Sequence, residues 1–179
     1  MSSDNDCMPC AELNAIAQAN NWPMQCDGTL AFEHPALCDL LALWQAKAAG
    51  GIPARTDFDM RVLKPYVPHI FILEQEDEGR RYKFRLFGSA LLLLFGEHTG
   101  RYLDEMVPAD LLPGWQAVYN TVLQARRPLR ILTPFRLPSD QFLKGEIFTA
   151  PMTDGAGAKR MILAATYVSP RDAVFTPYG

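Results

Sequence analysis

The feature that most constrains the fold is one run of sequence, RYKFRLFGSALLLLFGEHTGRYLDEM at residues 81–106. Hydrophobic and basic residues alternate from Tyr82 to Leu86, which is the pattern of a half-buried strand. Ser89 can cap the short apolar helix that follows, and Gly96 can end that helix in the left-handed conformation. The run therefore predicts a strand, a short helix, a tight turn and a second short helix in direct succession.

This succession resembles the front half of a PAS sensory domain. There, a helix that begins with an asparagine–proline pair and ends in leucine–phenylalanine–glycine is followed by a glycine–arginine pair. The present chain departs from that pattern only at the asparagine–proline pair, which it replaces. Gly88-Ser89-Ala90 stands in place of that pair, and Leu94-Phe95-Gly96 and Gly100-Arg101 match the rest of the pattern.

Three further pieces resemble the proteobacterial PAS subfamily whose members are mostly small, stand-alone domains. They are PARTDF at residues 53–58, PHIF at residues 68–71 and FRLFGSA at residues 84–90. The resemblance covers residues 36–170, which is most of the chain. It implies a bacterial sensory domain with an antiparallel sheet, helices packed against the sheet and a cavity between the two.

Hydrophobic periodicity independently predicts the order of the elements. A helix begins at Pro35 and ends before Gly50, and a longer helix follows Pro108. Because the strands within each group are joined by hairpin-length links, they form an antiparallel sheet. The predicted class is α+β, with a PAS-like five-stranded antiparallel sheet and helices on one face. The strands are expected at residues 67–74, 82–87, 129–137, 142–152 and 159–169.

The 179 residues divide into one domain and two flanking segments. Residues 1–33 are rich in polar side chains and predict an N-terminal extension that is partly helical or disordered. Residues 34–170 predict a single PAS-like domain, and residues 171–179 a C-terminal tail. We expect no output domain, so a signal would pass to another chain.

Composition argues against two classes of partner. The chain carries 17 basic and 20 acidic residues, so its net charge of −3 does not favour nucleic acid. It lacks the roughly 18-residue apolar run of a membrane-spanning helix, and its N-terminus does not resemble a secretory signal. The sequence therefore predicts a cytoplasmic protein that binds neither nucleic acid nor membrane.

A sheet crossed by helices on one face leaves room for a ligand cavity. Large apolar side chains on the second strand, on the helices and on the last three strands are the expected lining. The alternative is that the same residues fill an ordinary close-packed core, and a one-residue error in strand parity would exchange the two faces of the sheet. The predicted lining residues are Phe84, Leu86, Leu103, Trp115, Tyr119, Ile131, Phe148 and Leu163.

The helix before the sheet carries an apolar stripe formed by Leu37, Leu40, Leu41 and Trp44. PAS domains often pair through a helix at this position, so the resemblance implies a homodimer with this stripe as its interface. The stripe could equally pack on the sheet of its own chain.

No metal, cofactor or catalytic site is predicted. Cys7 and Cys10 form a CxxC pair without a second pair at zinc-ligand spacing, so separate reduced thiols are the better interpretation. His98 and His69 are the candidate axial ligands for the haem that some PAS domains hold, although a solvated loop histidine is the commoner case. The adjacent carboxylates Asp104 and Glu105 point apart on a helix and do not form an acid–base pair.

Three functions remain open. The leading one is a regulatory PAS module that binds a small ligand or a signalling protein partner and acts through another chain. The second is an interaction module with a filled core and no ligand. The third is a small enzyme on a cone-shaped α+β scaffold, which would need a carboxylate inside the cavity.

Overall fold

A computed structural model describes residues 8–136 and 142–170. Its centre is one antiparallel sheet of six strands in the order β1-β4-β5-β6-β2-β3. The predicted α+β class and antiparallel sheet are confirmed, with six strands instead of the five expected. The strands are β1 Gln25–Asp27, β2 Ile70–Glu76, β3 Arg81–Phe87, β4 Leu129–Arg136, β5 Phe142–Thr153 and β6 Arg160–Pro170.

Five α-helices accompany the sheet in the described part of the chain. Helix α2 begins as predicted, because Pro35 occupies its first turn and the His34 side chain accepts a hydrogen bond from the Ala36 amide. None of the helices that the structure describes is long and apolar enough to cross a membrane. The helices are α1 Met8–Ala19, α2 Pro35–Lys47, α3 Met60–Leu63, α4 Ser89–Phe95 and α5 Leu112–Ala125.

The helices lie on both faces of the sheet and not on one, which corrects the prediction. We call the face that packs with α1, α4 and α5 the front face, and the face that packs with α2 and α3 the back face. Side chains of a strand alternate between faces, so Ile147 and Ile162 join the front core while Phe148 and Leu163 join the back core. Helix α2 crosses to the back face because its apolar stripe finds an equally apolar surface there.

The extra strand comes from the segment that was predicted to be an extension. Residues 25–27 pair with β4, and a disulfide joins Cys26 to Cys10 of α1 across a Cα–Cα distance of 5.3 Å. The amide of Asn14 holds α1 and β1 together, since it donates to the Cys26 carbonyl at 2.9 Å and accepts from the Cys26 N–H at 2.7 Å. The expectation of separate reduced thiols is therefore wrong for Cys10 and Cys26. The predicted tail, residues 171–179, lies outside the described residues.

A bulge in β3 sets which of its side chains face the front. Ile72 pairs with Leu86 but Leu73 pairs with Phe84, so Arg85 is an extra residue without a partner in the ladder. Phe84 consequently faces the front core and Leu86 the back core, although they are two residues apart. The displaced Arg85 side chain donates to the Glu74 carboxylate at 2.6 Å.

Candidate ligand-binding cavity

A cavity of about 350 Å³ lies inside the front core, between the sheet and the covering elements α4, α5 and the turn Leu103–Glu105. Its volume falls in the range of small-molecule pockets, about 300–1,000 Å³. The lining is mostly apolar and includes eight aromatic side chains. These are Phe71, Phe84, Phe87, Phe95, Trp115, Tyr119, Phe135 and Phe142.

The aromatic rings hold one another edge to face around the cavity. Phe84 and Phe87 are T-shaped at 5.1 Å between ring centroids, and Phe95 and Phe135 are T-shaped at 5.2 Å. Trp115 stacks on Tyr119 at 5.9 Å one turn further along α5. Such pairs contribute about 0.5–1.5 kcal/mol each beyond the burial of their area, so the rings have defined positions around the void.

Gly145 of β5 makes room for one wall. A Cβ atom at this position would overlap the ring of Phe135, which lies across the strand. Because glycine has no side chain, the ring can pack directly on the backbone and reach Phe95 on α4. The sheet and the short helix are therefore bridged by side chains at this end of the cavity.

The polar groups in the wall are few. Thr133, Thr166 and Tyr119 contribute hydroxyl groups, and Arg136 lies exposed at the end of β4. Burial raises the pKa of Tyr119 far above its usual value, so this phenol stays neutral. Among the described lining residues there is no carboxylate, lysine or histidine.

Four of the eight predicted lining residues border the cavity: Phe84, Leu103, Trp115 and Tyr119. Ile131 belongs to the front core but does not reach the cavity. Leu86, Phe148 and Leu163 face the back core, which corrects their predicted placement.

Leu86 faces the back because of the bulge in β3. Phe148 and Leu163 face the back because the alternation predicted for β5 and β6 was wrong by one residue. The neighbouring Ile147 and Thr166 border the cavity in their place. The alternation of side chains along β5 and β6 is regular, but the sequence does not show which of the two alternating sets faces the cavity. Phe71 on β2, and Phe87 beyond the bulge, were also missed.

The predicted dimer stripe is buried inside its own chain. Leu37 and Leu40 are fully buried in the back core, and Leu41 packs against it. The indole N–H of Trp44 donates to the Pro151 carbonyl at 2.9 Å. These side chains are therefore not available to a second copy of the chain. They pack on the sheet of their own chain, which was the alternative to a dimer interface.

Neither candidate haem ligand lines the cavity. His98 packs beside Phe84 and Phe87, with its Nε2 atom 2.6 Å from the Phe95 carbonyl oxygen. His69 stacks on Tyr167 at 4.0 Å, and its Nδ1 atom lies 3.1 Å from the Thr166 carbonyl. The two imidazoles do not fit as axial ligands of a group held in this cavity. The described residues contain no cluster of three side chains that could hold a metal ion.

The back face carries buried ion pairs beside its apolar core. The buried Arg130 contacts Glu146 at 2.6 Å and Asp27 at 2.8 Å, and Glu146 also accepts from the backbone amides of Glu33 and His34. A groove of about 340 Å³ beneath residues 55–63 is lined by apolar side chains of the back core together with Arg55 and Asp154. The ion pairs and hydrogen bonds of Glu33 and His34 tie the start of α2 to the sheet.

The fold and the cavity can now be compared with known proteins. A sequence model of the PAS domain matches residues 32–166, which is well over half of the chain. The chain belongs to the PAS domain family. PAS domains are sensory and interaction modules, and the cavity of this PAS domain lies between its sheet and its short helices.

Among solved structures, this PAS domain is similar to the PAS-B domain of Drosophila melanogaster Cycle with bound glycerol. The two are 17% identical, with a TM-score of 0.40 over 55% of this chain and 99% of that one. No curated protein sequence matches the chain. Membership of the stand-alone proteobacterial subfamily stays a prediction.

Proposed function

We propose that the chain is a sensory PAS module that binds a small molecule in the front cavity and signals to a separate protein. The observation that supports this is a cavity of about 350 Å³ with mostly apolar walls between the sheet and its front cover. Protein interiors are close-packed and contain few voids larger than a water molecule. A cavity of this size with apolar walls is suited to a ligand.

A non-catalytic role fits the chemistry of the wall. A small enzyme on this scaffold needs a general acid or base inside the cavity. The described lining offers hydroxyl groups but no carboxylate, lysine or histidine beside them. The raised pKa of Tyr119 makes its phenol a neutral hydrogen-bonding group at physiological pH and not a base.

Helix α4 offers a route from the cavity to a partner. Leu91 and Phe95 of this helix line the cavity, while Leu93 between them is 91% exposed. A ligand that moves the inner side chains would also move the outer leucine, and a signalling protein could detect that change. A cytoplasmic homodimer belongs to the proposal as well, with an interface that does not use Leu37, Leu40 or Trp44.

The test compares native and denatured mass spectra of the purified full chain. We expect a reproducible extra mass in the native spectrum, and the number of chains in the native ion reports the oligomeric state. Val107→Phe places a ring in the cavity wall and should remove the adduct, whereas Val62→Phe on α3, 49% exposed, should keep it.

An adduct that survives Val107→Phe in a folded protein would place the ligand elsewhere and contradict the proposal. A native spectrum without extra mass, even after a two-ring aromatic probe is added, would favour the interaction module that binds no ligand.

A further inference from the structure

The groove on the back face of the sheet is a second concave site, separate from the front cavity. It has a volume of about 340 Å³ and lies between residues 55–63 and the back-facing side chains of β2, β5 and β6. This volume falls within the range of small-molecule pockets, about 300–1,000 Å³. Its apolar floor consists of five buried residues: Phe58, Leu63, Ile72, Met152 and Leu163. The described residues that line this groove do not border the front cavity.

Hydrogen bonds hold one wall of the groove in place. The Thr153 N–H donates to the Pro53 carbonyl at 3.0 Å, which ties the PARTDF segment to the end of β5. The Asp57 carboxylate accepts from the Ala54 N–H at 2.7 Å, so the acidic residue of this segment stabilises its turn. Neither contact uses the side chain of Arg55, which lies between them in the sequence. The wall therefore has its shape without any contribution from that guanidinium.

Arg55 lines the groove and has no partner in the described part of the chain. The residue is partly buried, yet its guanidinium makes no ion pair or hydrogen bond with any described residue. None of its nitrogen atoms is sealed from solvent, so an incoming group can reach them. Arginine side chains that leave water are usually paired with an anion. An anionic ligand in the groove would supply this partner, in surroundings where an ion pair is screened less than at an open surface.

The second charged side chain of the lining limits the charge of the ligand. Asp154 lies in the hairpin between β5 and β6, and its Oδ1 atom accepts from the Ala158 N–H at 3.1 Å. Asp154 thus has a donor already, whereas Arg55 has no acceptor within the described residues. A second anionic group on the ligand would be repelled by Asp154. The charges therefore favour a ligand with one negative charge.

Volume and geometry narrow the class further. A cavity of about 150 Å³ holds benzene, so about 340 Å³ has room for one ring or a short chain together with an acidic group. A carboxylate carries a single charge and matches the planar guanidinium with two parallel hydrogen bonds. A phosphate monoester carries nearly two charges at neutral pH, which Asp154 disfavours.

We propose that the back groove binds a small monocarboxylate whose apolar body packs on the floor of the groove and whose carboxylate pairs with Arg55. This is a second site, and the inference does not depend on ligand binding in the front cavity.

The test is an NMR titration of the full chain labelled with ¹³C at its methionine methyl groups. Met60 and Met152 line the back groove and Met106 lines the front cavity, so the two sites report separately. The probes are 3-phenylpropionate, its neutral amide and the cation 3-phenylpropylamine. An ion pair with hydrogen bonds should tighten binding about tenfold, so the propionate should shift the Met152 signal with a Kd lower than that of the amide by this factor. The cation should bind most weakly.

Variants then assign the charge to one side chain. Arg55→Met keeps the length of the side chain and should abolish the preference for the propionate over the amide, whereas Arg55→Lys should keep part of it. Arg61→Met on α3 is the matched control, because that side chain is 94% exposed and lies outside the groove lining. Urea denaturation checks that each variant folds, and Arg55→Gln removes the same charge if Arg55→Met does not fold.

Each outcome decides for or against the site. Equal Kd values for the propionate and the amide at Met152, a preference that survives Arg55→Met, or tightest binding by the amine would overturn the inference. Shifts confined to Met106 would assign the carboxylate to the front cavity, which overturns the back site and leaves the proposed function standing. Folded protein whose Met60 and Met152 signals do not move up to the solubility limit of the probes would also overturn it.

Discussion

The two faces of the sheet bury the same kinds of side chain but are closed in different ways. On the back face, Leu37, Leu40 and Trp44 of α2 are nearly inaccessible, and the one indole N–H that needs a partner has it in Pro151. On the front face, large aromatic side chains surround an open space of about 350 Å³, and the Thr133 and Thr166 hydroxyls border it without a hydrogen bond to another described residue.

The difference follows from what covers each face. The 13-residue helix α2 packs along the back of the sheet with one continuous stripe, and the four-residue α3 also packs on this face. The front cover is divided among α1, the 7-residue α4, the short turn Leu103–Glu105 and α5. These elements contact the sheet at different places and leave space between them. Aromatic side chains such as Phe135 of β4 reach across that space to contact the cover, in this case Phe95 of α4. Amino-acid type alone therefore does not decide whether a face is filled.

The strongest test of this comparison removes one tryptophan from each face. Trp44→Ala should lower the free energy of unfolding by about 3–5 kcal/mol, because it deletes a large buried side chain and leaves the Pro151 carbonyl without its donor. Trp115→Ala should cost about half as much or less, because that indole is half-buried and already borders a void. Urea denaturation followed by circular dichroism measures both.

Trp44→Phe is the control, since it retains most of the buried area and loses only the hydrogen bond. Its cost should lie near the 1 kcal/mol of a single hydrogen bond with some lost area. Equal losses for Trp44→Ala and Trp115→Ala would show that the front face is as tightly filled as the back.

Acid should weaken the back face, which holds the ion pairs. The carboxylate of Glu74 accepts from Arg85 at 2.6 Å and from Lys159 at 2.7 Å, and the hydrogen bond from Arg85 is the main cause that lowers its pKa from 4.5 to about 2. A lowered pKa stabilises the fold at pH values above the unfolded pKa and loses that contribution as the pH falls to about 2. The full shift would correspond to about 3.4 kcal/mol at neutral pH, and because solvent screens the partly exposed Arg85 and Lys159, we expect a contribution of about 2 kcal/mol.

Glu74→Gln should therefore cost about 2 kcal/mol at pH 7, and its difference from wild type should shrink between pH 4.5 and pH 2. Glu12→Gln, at an exposed position on α1, controls for the change of charge. Chemical denaturation repeated along a pH series gives the curve. A difference between wild type and Glu74→Gln that stays constant over this range would mean that the Glu74 ion pairs do not stabilise the fold.

Much of the fold could be predicted because its elements have regular patterns. The alternation before Phe87, the stripe of α5 and the glycine that ends α4 each correspond to an observed element. The three-residue strand β1 is too short for any pattern, and its place depends on the Asn14 amide and on the Cys10–Cys26 disulfide. Those are tertiary contacts between segments, which periodicity does not report.

The cavity could be predicted in part. Phe84, Leu103, Trp115 and Tyr119 were reached because the helices and the first half of β3 have clear inward faces. The bulge at Arg85 reverses the alternation of β3 and has no signature in the sequence. The prediction that Leu86 lines the cavity was wrong for that reason. The cavity depends on how the helices and the turn of the front cover pack against the sheet, which the sequence does not show. Leucine and aromatic residues are equally suited to a filled core and to a cavity wall.

The smallest predicted effect compares two threonines on neighbouring strands. Thr149→Val should cost about 0.5–1.5 kcal/mol, because it removes the hydrogen bond to the Leu129 carbonyl inside the filled part of the core. Thr133→Val should leave the stability of the ligand-free protein unchanged or slightly raise it, because its hydroxyl has no partner among the described residues and faces the cavity. Urea denaturation of the two variants in parallel measures the difference. An equal loss in both would mean that the Thr133 hydroxyl is already satisfied without a ligand, and the contrast between filled core and cavity wall would not extend to this strand.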